Sequence, residues 1–206
     1  MKANYTAFVD RMIQRYEGGY GWDVGDPGGP TKYGITCYDL AEHRGQHMTS
    51  MATWAPIVRA MTLAEAETIY ATKYATRVQF DLLNSGPDCA IMDFEVNSGT
   101  WGTKIAQRVV GVVSDGILGQ GSLTAINSMD PLTFVNKYCD ARLAFMHQIP
   151  TWSRFGVGWS SRVADLRAYC KKLAVVAPVG LMDSADEETF EDKPQQIGLA
   201  FAKAHD

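Results

Sequence analysis

The chain has 206 residues, a formal net charge of −4 and a sequence pI near 5.6. That length holds one domain with a substantial core, or one domain divided into two lobes. The acidic balance provides no global cationic field for nucleic acid or an anionic surface, so nucleic acid is excluded as a partner and any anionic polymer must be recognised locally. Met1-Lys2-Ala3-Asn4-Tyr5-Thr6 has neither the apolar stretch nor the small-residue cleavage site of a secretory signal, and synthesis in the cytoplasm is expected. Phe8, Met12, Ile13 and Tyr16 recur at helical spacing and predict an amphipathic helix over about 4–16, stopped by Gly18-Gly19. Residues 18–36 are rich in glycine, with Pro27 and Pro30 among them, and read as a turn-rich segment or short irregular hairpin.

Helical signals then dominate. Residues 38–44 form a short candidate, and Thr62-Leu63-Ala64-Glu65 has the form of a capping box opening a helix to about Tyr74. No element is predicted between these two. Pro87 fits the first turn of a helix running to about Asn97, ended by Ser98-Gly99. Further helices are predicted over 104–112, 121–128, 131–148, with Asp130 as N-cap, and 160–175. The expected fold class is mostly α with one small turn-rich or β-hairpin segment after the first helix. From Ala177 the chain turns acidic and weakly apolar, as a solvated extension would. The longest apolar stretch, from Leu173 to Met182, is far too short to span a bilayer, so no stable membrane insertion is expected.

Cys37, Cys89, Cys139 and Cys170 make no Cys-x-x-Cys pair and read as small buried thiols. His43 and His47 have a zinc-compatible spacing, but Gly45 lies between them and no third ligand is near. Asp115-Gly116 lacks the alternating oxygen ligands of a calcium loop and the lysine of a P-loop, and reads as a turn between helices. Neither a metal nor an organic cofactor is expected.

One constellation suits glycosidic chemistry. Cleaving a glycosidic bond requires a carboxylic acid to protonate the leaving oxygen, with a carboxylate or activated water on the other side. The acid must stay protonated near neutral pH, which an apolar setting achieves. Glu17 ends an amphipathic helix beside Tyr16, with Tyr20 and Trp22 close in sequence. Asp26 follows nine residues later and would face Glu17 across a cleft if the segment folds back. Thr31 and Tyr33 lie just beyond, suited to hold a water or a sugar hydroxyl. Helix-end placement alone also fits an ordinary surface glutamate.

The run from Glu17-Gly18-Gly19-Tyr20 through Asp23, Asp26, Gly28-Gly29, Thr31 and Tyr33-Gly34-Ile35-Thr36 resembles the signature of glycoside hydrolase family 108. That family comprises N-acetylmuramidases found as phage endolysins and as secretion-activator proteins. Asp93-Phe94-Glu95-Val96-Asn97-Ser98-Gly99, Ala106-Gln107-Arg108 and Asp115-Gly116-Ile117-Leu118-Gly119 are similar to the peptidoglycan-binding half that accompanies it. The resemblance implies a lysozyme-like fold. A catalytic lobe would span 1–86, a helical peptidoglycan-binding lobe of the same compact unit 87–176, and an acidic extension 177–206. It implies Glu17 as general acid and Asp26 as second carboxylate, at the Glu-to-Asp separation of phage-type lysozymes. Thr31 resembles the threonine that follows in those enzymes, one residue closer to Asp26 here. Tyr20, Asp23, Tyr33, Thr36 and Asn97 are the implied substrate contacts.

The implied partner is bacterial peptidoglycan, cut between N-acetylmuramic acid and N-acetylglucosamine by a monomer. The implied setting is the periplasm, reached from the cytoplasm of a phage host. A bacterial accessory muramidase that aids secretion and a non-catalytic peptidoglycan-binding module are the alternatives. Glu95 replaces what is often a small or apolar residue in relatives; it would be an extra cleft carboxylate or a structural one. Asn97 would bond substrate or cap its helix. Trp101, Trp152, Phe155 and Trp159 would line the groove or fill the core. Arg108, Arg154 and Arg162 would meet substrate carboxylates or pair at the surface.

Overall fold

The computed structural model describes residues 2–16, 18–23 and 28–175. Helix α1 (Ala3–Arg15) buries Tyr5, Phe8, Val9, Met12 and Ile13, which is the stripe its periodicity predicts. A two-residue antiparallel hairpin follows, β1 (Thr31–Lys32) with β2 (Ile35–Thr36), paired Thr31 to Thr36 and Lys32 to Ile35. Tyr33 and Gly34 turn it with φ of +52° and +76°, the two left-handed residues of the turn that suits a right-twisted hairpin. Helices α2 (Cys37–His43), α3 (Met51–Ala60) and α4 (Leu63–Ile69) then pack beside the hairpin, and α4 widens directly into a π-helical segment, Tyr70–Ala75.

Beyond a 3₁₀ turn at Phe80–Leu82, α5 (Pro87–Ser98) runs through the centre of the molecule. It is buried nearly all round and touches α1, the π segment, α6 (Trp101–Val110), α8 (Pro131–Met146) and α9 (Trp152–Val175). Pro87 takes the first helical position, where its missing N–H is no loss, and Asp88 accepts from the N–H groups of Gly86 (2.9 Å) and Cys89 (2.7 Å). Helix α7 (Gln120–Ser128) closes over α6. One continuous apolar core extends from Tyr5 in α1 to Cys170 in α9.

Among the described residues the chain is therefore mostly helical with one small antiparallel sheet, as expected. Three details differ. Residues 51–60 form α3 although Pro56 lies inside it, because Ser50 caps its start and Trp54, Ala55 and Val58 are buried. Helix α9 begins at Trp152, earlier than predicted, and Gly156 is the reason: a Cβ there would stand 2.5 Å from the Trp152 ring, so the glycine makes room for the indole instead of breaking the helix. Thr62 caps α4 by accepting from Glu65 N–H (3.2 Å), while the Glu65 carboxylate turns away to take both guanidinium bonds of Arg44. The acidic residues after Val175 lie outside the described residues. The four cysteines are buried free thiols, the described residues contain no cluster of three or more metal-ligating side chains, and no helix among them is long and apolar enough to cross a membrane.

Candidate active site

Helix α1 delivers its last residue into the region singled out by the sequence. Tyr16 ends it with a hydrogen bond from its N–H to Met12 O (3.0 Å). Glu17 and Asp26 both lie outside the described residues. Their neighbours define the frame around them. Gly21 and Thr31 exchange two backbone bonds, of 2.8 and 2.9 Å, and Gly18 O accepts from Tyr33 N–H (3.2 Å). The chain after Glu17 is thus laid along the hairpin as a third, short antiparallel element. The same bridge ties together the two flanks of residues 22–30, of which 22, 23 and 28–30 are described. In sequence, Glu17 stands four residues before Gly21 and Asp26 five residues before Thr31.

The hairpin itself is held hard. Thr31 is buried, and its hydroxyl donates to Gly29 O (3.2 Å). Gly29 adopts φ +70°, and a Cβ on it would stand 2.9 Å from Cys37 Sγ, so both conformation and space require glycine. Lys32 crosses to α3 and donates to Arg59 O (2.8 Å) and Met61 O (2.7 Å), neutralising carbonyls that the helix end leaves unpaired. Tyr70, in the π segment, donates to Tyr33 O (2.8 Å) and pins the left-handed turn. The Arg59 guanidinium lies over the Tyr20 ring at 4.2 Å. Asp23 is exposed at the rim of the loop.

Two other expected contacts are engaged elsewhere. Thr36 caps α2: its side chain accepts from Asp39 N–H (3.2 Å) and donates to Asp39 Oδ2 (2.8 Å). Asp39 is itself buried and takes bonds from Lys73 (2.8 Å) and Tyr74 (3.1 Å). Asn97 is buried, and its side-chain oxygen accepts from Arg142 (2.9 Å). A substrate role for either competes with these bonds. The structure brings Tyr20, Thr31 and Tyr33 together around the loop base and leaves Thr36 and Asn97 as parts of the scaffold.

A polar network that the sequence did not announce backs this region. Asp93 on α5 is fully buried between two arginines. Arg142 of α8, also fully buried, donates to Asp93 Oδ1 (2.6 Å). Arg162 of α9 bonds both carboxylate oxygens, Nη2 to Oδ2 at 2.8 Å and Nε at 3.2–3.3 Å. Burial alone would raise the Asp93 carboxyl, but the charges and hydrogen bonds of Arg162 and Arg142 outweigh it and hold the group below its ordinary value. The outer face of Arg162 covers the Tyr16 ring at 4.5 Å. A signal for Arg142 was present: Tyr138, Cys139, Phe145 and Met146, one turn on either side, are apolar, and a lone cation on such a face needs a buried anion.

Glu95 lies within the scaffold too. It is fully buried between α5 and α6, and its Oε2 accepts from the N–H and hydroxyl of Thr103, both at 3.2 Å. Its Oε1 has no hydrogen-bond partner, with Arg77 Nη1 at 3.7 Å. Burial pushes this carboxyl up to about 7, against the opposing effects of Thr103 and Arg77. The aromatic residues divide: Trp159 is buried with Trp152 tilted against it, whereas Trp101 packs on Phe145 beneath Lys104 and Arg108.

The hairpin, with Tyr20, Thr31 and Tyr33 around its base, is set into a lysozyme-like, mostly α fold. The family described as Glycosyl hydrolase 108 matches residues 11–99, a span that contains Glu17, the loop and the hairpin. Among matching solved structures, that of Brucella abortus SagA has 35% sequence identity and a TM-score of 0.77, covering 84% of this chain and 97% of its own. No curated protein matches. The chain belongs to glycosyl hydrolase family 108, and with it to the muramidase-like peptidoglycan hydrolases.

Proposed function

We propose that the protein is an N-acetylmuramidase of the lysozyme type, hydrolysing the β-1,4 bond between N-acetylmuramic acid and N-acetylglucosamine. Glu17 protonates the leaving oxygen. Asp26 orients the attacking water or supports the cationic transition state, and Thr31 assists it. The observation that carries this reading is the double bridge between Gly21 and Thr31, which roots the Glu17 and Asp26 segments at one point inside the family match. Tyr20, Asp23 and Tyr33 form the rim that a saccharide would meet, with Thr36 and Asn97 supporting from behind. The enzyme acts as a monomer on the wall in the periplasm.

Lysis of a host by a phage or prophage is the proposed setting. The bacterial origin of the similar SagA structure supports a second setting, an accessory enzyme that opens the wall for its own cell. The chemistry is tested by incubating purified protein with peptidoglycan and identifying the new reducing ends by mass spectrometry, for wild type and Glu17→Gln. Reducing muramic ends from wild type alone are expected. Wild-type turnover by Glu17→Gln would remove Glu17 as the acid. Intact binding without cleavage by wild type would make the protein a peptidoglycan-binding module.

A further inference from the structure

Helix α1 reaches Tyr16 against α9, and two latches hold that seam. In the first, Arg11 donates twice to Asp165, at 2.6 and 2.8 Å, and Arg15 approaches the same carboxylate at 3.2 Å. All three side chains are partly exposed. The second latch lies one turn away on α9 and is built differently. Arg162 is only 10% exposed, its fork is bonded to a fully buried Asp93, and its flat face lies on Tyr16. Asp93 is in turn held by Arg142, which Asn97 and the Phe94 ring (4.4 Å) fix from other sides. A guanidinium bonded along its edge and stacked on its face has no remaining freedom to turn. The ring it covers belongs to the last residue before Glu17, and one trans peptide separates consecutive Cα atoms by about 3.8 Å.

We propose that Arg162 is a positioning residue for the catalytic acid: clamped by Asp93 and stacked on Tyr16, it fixes the end of α1 from which Glu17 departs. This rests on the assignment of Glu17 as the acid. A surface pair such as Arg11–Asp165 contributes to helix docking and yields easily to solvent. The Arg162 latch transmits the rigidity of the core to one residue. Its charge also matters. Among the described residues, the groups facing it include Asp93, Arg142 and the Tyr16 ring, and removing one cation from these surroundings leaves the α1 end more negative. A carboxylic acid there then holds its proton to higher pH.

The test uses four variants of the full chain, with the folded fraction measured by near-UV circular dichroism and kcat and KM measured from pH 4 to 9 on soluble peptidoglycan fragments. Arg162→Gln is expected to lower kcat by about ten- to a hundredfold with KM little changed, and to move the basic limb of the kcat profile upward. Arg162→Lys, which keeps the charge and loses the fork and stack, should lose kcat with the basic limb in place. Tyr16→Leu removes only the covered ring and should lose kcat similarly. Asp165→Asn loosens the neighbouring latch and should leave kcat and its pH profile as in wild type. Wild-type kcat per folded molecule in Tyr16→Leu or Arg162→Lys would overturn the proposal. So would an equal loss in Asp165→Asn, which would reduce Arg162 to one of several docking contacts. Glu17→Gln, run in parallel, separates the two claims: if it keeps activity, the acid is misassigned whatever the Arg162 variants do.

Discussion

Glu95 offers the sharpest measurement of the forces inside this fold. It is a carboxyl with no exposed surface, one oxygen bonded twice to Thr103 and the other unbonded, 3.7 Å from a half-exposed arginine. Burial raises it from 4.5 to about 7. The folded state therefore binds this proton more tightly than the unfolded chain does. Its contribution to stability is fully present below pH 4.5 and is lost progressively as pH rises through 7. The displacement corresponds to about 3 kcal/mol once the group is ionised in both states. Glu95→Gln removes the titration and nearly preserves the shape. The amide oxygen must take the place that accepts from Thr103, and the amide nitrogen then faces Arg77 without an acceptor, at a pH-independent penalty of about 1–3 kcal/mol. Urea unfolding of wild type and Glu95→Gln at pH 5, 6, 7 and 8 isolates the difference, because every other titrating group is common to both. Relative to its value at pH 5, the variant's stability should gain on wild type by about 2–3 kcal/mol by pH 8, most of it between pH 5 and 7, where the unfolded chain is ionised and the folded carboxyl still holds its proton. A stability difference that stays flat from pH 5 to 8 would refute the reasoning, and would mean that Arg77 and Thr103 suffice to keep Glu95 ionised in the folded protein.

Four further outcomes are expected. Gly29→Ala should destabilise the protein by about 1–3 kcal/mol in urea unfolding, since it forces a left-handed alanine against Cys37 Sγ. Arg142→Met should cost about 3–5 kcal/mol by the same assay, because Asp93 loses its most deeply buried partner and Asn97 its donor. Asp26→Asn should fold as wild type, by thermal melting, and turn over at least about a hundredfold more slowly; unchanged turnover would move the role to Asp23. Proton NMR of the first-formed product should show inversion at the anomeric carbon, the outcome for carboxyls about 6.5–9.5 Å apart, whereas retention would indicate about 5–5.5 Å.

Local signals in the sequence are legible where the physics is local. The stripe Phe8, Met12, Ile13 marks α1 because a helix face repeats, and Pro87 and Asp130 mark helix starts because a missing N–H and a carboxylate each suit an unpaired first turn. What escaped depends on partners distant in the chain. Pro56 argues locally against α3, and the helix survives through the Ser50 cap and the burial of Trp54 and Val58. The π segment follows a continuous helical pattern, and its widening has no counterpart in hydrophobic spacing. Around the site, the ordered run from Glu17 to Thr36 was legible as a motif. The burial of Thr31, the cap at Thr36 and the withdrawal of Asn97 towards Arg142 were not, since each depends on which neighbour reaches the side chain first.

On the proposed assignment of Glu17 as the acid, the distribution of rigidity follows from what a proton donor just beyond a helix end requires. Methionine and leucine in place of Asp93 and Arg142 would fill the same core with less desolvation, and stability alone gives little reason for a buried ionic pair. An apolar core, however, offers only non-directional contact to the end of α1. A carboxylate gripping a planar fork imposes an angle, and that angle is passed to Tyr16 through a stacked face. The opposite side of the site needs a different property. Asp26, the proposed second carboxylate, falls in sequence between Gly21 and Thr31, which two backbone bonds tie together, and Gly29 adopts backbone that other residues rarely can. A proton donor set by directional bonds and a second carboxylate set by loop closure need not share any element. The hairpin that would join the two is correspondingly braced, with Tyr33, Lys32 and Gly29 each tied to or packed on a different helix or side chain.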